Sequence, residues 1–150
     1  MAHSASDVAK WMLNYNKVQQ SEADADFISN LKLQKLLYYA QGCYLAFFDT
    51  PLFDDEIIAW AHGPVVESVY HEYKNNGNRG IEQFGRTAEN YSTQEQAVLK
   101  TVYEKFGQYS AWGLRNMTHN ETPWLETEQN HVILREKIKD YFKENYVVNE

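Results

Sequence analysis

The side chains able to do chemistry in this chain are five histidines, one cysteine and three consecutive acids, and their spacing limits what each can do. His71-Glu72 opens like a zinc-protease helix, but Asn75 stands where a second histidine would have to reach the metal from the next turn. A lone cysteine cannot build a structural zinc site either, so no metal is expected. Cys43 lies among Tyr44, Leu45, Phe47 and Phe48, an apolar setting that buries a thiol instead of activating it as a nucleophile. Asp54, Asp55 and Glu56 offer carboxylates for acid–base work, yet consecutive acids in a loop are usually solvated. No G-x-S-x-G elbow appears, and the glycines between residues 77 and 91 fit neither a dinucleotide nor a phosphate loop.

What is left is Trp60-Ala61-His62-Gly63-Pro64, where a large ring, an imidazole and a rigid turn meet. His62 with Glu67 or Asp55 is the pairing that would suit a small-molecule enzyme. The simpler reading makes Trp60 a core ring and Gly63-Pro64 a turn, with proline at the first position of a helix and His62 bridging backbone groups there. A ligand pocket at such a helix start is conceivable because free N–H groups gather there, but nothing in the spacing requires one. Glu67 and His71, four apart, read as a surface pair. No catalytic residue and no cofactor is assigned, and the chain is expected not to be an enzyme.

The elements that position these residues follow from periodicity. Ser6 caps a first helix with Val8, Trp11, Met12 and Tyr15 on one face. Residues 19–29 lose that period and read as a loop ending in a cap at Ser29 or Asn30. A long central helix follows, with Leu33, Leu36, Leu37, Ala40 and Tyr44 inward and Lys32, Lys35 and Gln41 turned away from the stripe. Asp49-Thr50-Pro51 ends it. Residues 56–61 suit a short strand, and AWAHGPVV, from Ala59 to Val66, reads as a strand-to-helix junction. The next helix carries Val66, Val69, Tyr70 and Tyr73 and stops at Asn76-Gly77. Ser92-Thr93-Gln94-Glu95 is a capping box for a helix through Val98, Leu99, Val102 and Phe106. Ser110 caps a shorter helix, Thr122-Pro123-Trp124 starts a turn or brief helix, and a last helix spans about His131 to Tyr146 with Leu134, Ile138, Tyr141 and Phe142 inward. The fold class expected is mainly α, one compact bundle of about six helices over residues 1–150, with a small β-hairpin or short strands near 52–61 and 81–84.

Composition bounds the function. The chain has 150 residues, 43% of them hydrophobic and 15% aromatic, enough for one large core. Its net charge of −7 opposes binding to phosphate backbones, so no nucleic-acid partner is expected. Acids gather at Glu22, Asp24 and Asp26, and again at Asp49, Asp54, Asp55 and Glu56; they form a solvated surface or a dock for a basic partner protein. No leader-like start and no long apolar run appear, which with the unpaired cysteine points to the cytoplasm and away from membranes.

Several segments taken together resemble a known family. Asp7-Val8-Ala9, the run Leu33-Gln34-Lys35-Leu36-Leu37-Tyr38-Tyr39-Ala40-Gln41-Gly42, Pro51-Leu52-Phe53, Ala59-Trp60 and Gly63-Pro64-Val65-Val66 look like the Panacea domain, the SocA-like, GepA-like family of phage-associated antitoxins. The likeness continues through Val69-Tyr70, Tyr73-Lys74, Leu114, Thr118-His119 and Pro123-Trp124. The resemblance implies a mostly helical antitoxin that neutralises a toxin, usually encoded beside it, by direct protein contact. The first helix begins within about six residues, so a preceding DNA-binding segment of the kind some members carry is not expected. Leu33, Gln34, Lys35, Leu36, Tyr39, Trp60, His62, Gly63, Pro64, Val65 and Trp124 are the motif positions; Asp54, Asp55, His62 and Glu67 are the candidate partner contacts. Tyr39 and Tyr70 would be interface anchors if exposed. A protease adaptor would need the same kind of surface, and a homo-oligomer stays open.

Overall fold

The computed structural model describes residues 2–23, 26–88 and 90–146, the side chains of 21–23 excepted. Among these residues the elements are α1 (Ala5–Ala23), α2 (Asn30–Phe48), β1 (Ile58–Trp60), β2 (Gly63–Val65), α3 (Glu67–Glu72), a 3₁₀ turn (Lys74–Asn76), α4 (Thr93–Phe106), α5 (Ala111–Thr118), α6 (Thr122–Leu125) and α7 (Arg135–Asn145). This is the mainly α architecture expected, with one two-stranded antiparallel sheet. Asp24 and the side chain of Glu22, part of the first acidic stretch, lie outside the described residues.

Local capping chemistry places most helix starts. The Ser29 hydroxyl accepts from the Lys32 N–H, Ser92 and Glu95 form the reciprocal box, and Ser110 accepts from the Gly113 N–H. The first cap differs from expectation. Ser4, not Ser6, accepts from the Asp7 N–H, and the Ser6 hydroxyl donates to Glu72 instead. Residues 19–23 also continue α1 where a loop was expected.

α2 is the hub, packed by α7, α4, α5, α1, α3 and β2. Surrounded along most of its length, it has no solvent face of ordinary width between Leu33 and Cys43, which overturns the expectation that Lys35 and Gln41 turn outward. Both are buried, Lys35 completely. Gly42 lets α7 approach closely: a Cβ there would stand 2.5 Å from the Phe142 ring.

The hairpin departs furthest from the sequence reading. Ile58 pairs with Val65, Ala59 with Pro64 and Trp60 with Gly63, so Gly63-Pro64 belongs to a strand and α3 begins only at Glu67. Proline's fixed φ suits an extended edge strand as well as a first helical turn, and the missing N–H is harmless in either place. Leu52-Phe53 does not join this sheet; Phe53 makes an isolated parallel bridge to His3. Residues 81–84 form no strand, although the Ile81 N–H donates to the Ile28 carbonyl. On the other side of β1, residues 130–133 run alongside it, with the Ala59 N–H donating to His131 and the Ile133 N–H to Ile57. That pairing delays α7 to Arg135 and leaves Leu134, expected inward, 58% exposed.

Candidate functional site

The polar residues of α2 point at the segments that follow it. Gln41 Oε1 accepts from the Leu52 N–H at 2.8 Å and the Phe53 N–H at 3.3 Å, while its Nε2 donates to the Phe53 carbonyl. Gln34 Oε1 accepts from the Val66 N–H at 2.9 Å, its Nε2 donates to Asn30, and Asn30 donates to the Tyr70 carbonyl. Lys35 Nζ donates to the Pro64 carbonyl at 3.0 Å. Short extended segments leave backbone groups unpaired, and a buried one is costly. These three side chains satisfy them and thereby seat Pro51-Leu52-Phe53 and Gly63-Pro64-Val65-Val66 against the central helix.

Gly63 shows how tight the seat is. Its φ is +112°, and a Cβ there would meet Thr118 Oγ1 at 2.7 Å and Lys35 Cε at 2.9 Å. Glycine is required both by the backbone angle and by the space. From the far side Trp124 Nε1 donates to the Trp60 carbonyl at 2.8 Å, and the His119 ring stacks on Trp124 at 4.0 Å. Asp7 does similar work for the loop before α4, accepting from the Ala88 N–H and the Tyr91 hydroxyl.

Burial perturbs the charges inside this frame. Lys35 is held down to about 7, first by desolvation and then by the nearby Arg115 charge. Desolvation also lowers His119, with Arg115 adding, and pushes the Cys43 thiol up to about 12, which keeps it protonated and inert. A second buried cluster was not legible in the sequence. The Glu121 carboxylate accepts from the hydroxyls of Tyr38 at 2.9 Å, Tyr39 at 3.0 Å and Tyr146. Desolvation raises Glu121 overall, although the three hydroxyls pull it the other way. The acid lies in a turn and its partners on α2 and at the C-cap of α7, so no local period reveals it.

The positions singled out from sequence therefore separate. Leu33, Leu36 and Tyr39 are core, Gln34 and Lys35 hold backbone, Gly63, Pro64 and Val65 are the buried strand β2, and Trp60 and Trp124 are half-buried. Tyr39 stacks on Phe106 at 3.9 Å, while half-buried Tyr70 packs against Trp60. Of the candidate contacts, His62, Asp54 and Glu67 are exposed. Asp55 is tied inward, its carboxylate accepting from the Ala5 N–H and the Ser68 hydroxyl. Among the described residues no hydrogen bond or ion pair joins His62 to Asp55 or Glu67, or Glu67 to His71. No group of three or more His, Cys, Asp or Glu side chains there is arranged to hold a metal ion, and no helix is long and apolar enough to cross a membrane.

The segments that meet in this frame are those of one protein family. A family model described as antitoxin SocA-like, Panacea domain, matches residues 33–125. The chain belongs to this family. The Panacea match begins one turn into α2 and ends with α6, so it takes in the hairpin, the Gln34, Lys35 and Gln41 staples, Thr118 and Trp124. Antitoxin SocA of Caulobacter vibrioides (strain NA1000 / CB15N) is 46% identical over 54 residues, which are 36% of this chain and 29% of that protein. The chain thus aligns with under a third of that relative's length. No solved structure matches. AWAHGPVV lies within the matched residues, and its second half is seated by Lys35 on the Pro64 carbonyl and Gln34 on the Val66 N–H.

Proposed function

We propose that this protein is an antitoxin that neutralises a cognate toxin, encoded in the adjacent gene, by direct protein–protein contact in the cytoplasm. The observation that carries the reading is the match to the SocA-like Panacea family across residues 33–125. Two features support it. Three buried polar side chains of the motif are committed to holding backbone, with Lys35 on Pro64, Gln34 on Val66 and Gln41 on Leu52 and Phe53. The free thiol of Cys43 suits a reducing compartment. Binding, which needs only a surface, is the function such a frame serves best.

Co-expression tests this. The adjacent gene's product should arrest growth when produced alone and cease to do so when this chain is present, with the two proteins copurifying. A harmless product, or one that stays toxic beside this chain, overturns the reading. Toxin half-life separates simple inhibition, which leaves it unchanged, from delivery to a protease, which shortens it. His62→Ala should fold and neutralise as the native chain does, since no carboxylate partners the imidazole.

A further inference from the structure

The exposed large apolar side chains are Val18, Phe47, Tyr109, Trp112, Leu125 and Leu134. Of these, Phe47 borders a hollow whose lining is mostly apolar. Between the last turns of α2 and one face of α4 lies a groove of about 320 Å³, with Cys43 and Phe106 at its base and Phe47, Ala97, Thr101 and Lys105 along its lips. Along α4 the lining residues Gln94, Ala97, Val98, Thr101, Val102 and Lys105 recur three and four apart, which makes them one continuous face of about three turns, ~16 Å long. Ala97 and Thr101 are exposed and small, so another helix can come close there, while Phe47 on the opposite lip is 56% exposed. A long open trough of this kind fits an amphipathic helix better than a small enclosed ligand.

Charge says what kind of helix. In a chain of net charge −7, no carboxylate among the described residues lines the groove, and Lys105 is the one charged residue among them that does. Its ammonium lies over the rings of Phe106 and Tyr146, 5.6 and 5.1 Å from their centroids, at one end of the trough. No carboxylate among the described residues pairs with it. The complementary occupant is an apolar stripe ending in an acid.

We propose that the toxin docks an amphipathic helical segment in this groove, its apolar residues against Phe47, Ala97 and Thr101 and a carboxylate on Lys105. The assignment rests on the antitoxin reading above and adds to it the place and chemistry of contact.

The test uses the full chain with the adjacent gene's product as the probe. Thr101→Arg and Ala97→Glu fill the trough and Lys105→Glu reverses its charge; all three sites are exposed, and circular dichroism and a thermal melt confirm folding. Trp112→Ala and Arg115→Ala on α5, where a cation also lies over an aromatic ring, are the comparison. The groove variants should weaken toxin binding about thirtyfold or more and abolish rescue of growth, with Lys105→Arg and the α5 variants close to native. A photo-crosslinking residue at Thr101 should link to a toxin peptide with apolar residues three and four apart and an acid within a turn of them. Native-level binding by the groove variants, loss of binding confined to the α5 variants, or a crosslink to a second copy of this chain overturns the proposal while leaving the antitoxin reading intact. Failure of the native chain to neutralise removes both.

Discussion

Lys35 and Glu121 show two ways of keeping an ionisable group inside the molecule. Glu121 is surrounded by three hydroxyl donors, so its truncation to alanine leaves Tyr38, Tyr39 and Tyr146 without their acceptor. Lys35 has one carbonyl and little else, and burial brings it from 10.5 down to about 7. Between those values the unfolded chain holds a proton that the folded chain lacks, so stability rises with pH across that window and levels off above it. The cost of charging the buried amine is fully present below the folded value. Lys35→Met should therefore flatten the rise, measured by urea unfolding at pH values below, within and above the window. An unchanged slope would show that Lys35 is not its source.

The hairpin and the segment before it are held by side chains of α2 and, along β1, by residues 130–133 as well as by the hairpin's own pairing. β1 and β2 have three residues each, and an isolated two-stranded hairpin is marginal in water. Gln41→Ala should raise the hydrogen-exchange rates of the Leu52 and Phe53 amides well above those of the α2 interior, and Gly63→Ala should cost about 1–3 kcal/mol because the left-handed angle and the close contacts with Thr118 and Lys35 are violated together. Protection of Leu52 and Phe53 at native levels in Gln41→Ala would mean that other contacts seat this segment. Caps at Ser29, Ser92 and Ser110 are readable because they act over three residues. The hairpin register is not, since Pro64 satisfies a strand and a helix start equally and the deciding partners, Lys35 and Thr118, lie elsewhere in the chain.

As a whole molecule the protein is organised around one helix, with α1, α3, α4, α5 and α7 all packed on α2. We expect residues 1–150 to unfold as one domain. Fluorescence and far-UV circular dichroism should give coincident urea transitions, and Glu121→Ala should shift both by the same amount, about 3 kcal/mol for a buried acceptor removed from three donors. Separate transitions would divide the chain into independent units. The same radial packing explains why the groove proposed as the docking site does not stand out in a reading by residue type. Exposed acids near the hairpin attract attention as charges, whereas the α2–α4 groove is built of residues that in isolation look like ordinary core.

Most helices, the caps at Ser29, Ser92 and Ser110 and the family likeness were legible because they depend on residues close in sequence or on a shared order of motifs. AWAHGPVV was recognisable on that basis, though not its form as a strand pair. Contacts between distant segments decided the rest: that Lys35 and Gln41 face inward, that Glu121 gathers hydroxyls as far away as Tyr38, 83 positions earlier, and that one face of α4 is left open. Burial is a property of what surrounds a side chain, and helical periodicity reports only which side it leaves from. Where a helix is enclosed all round, as α2 is from Leu33 to Cys43, that periodicity no longer separates inside from outside.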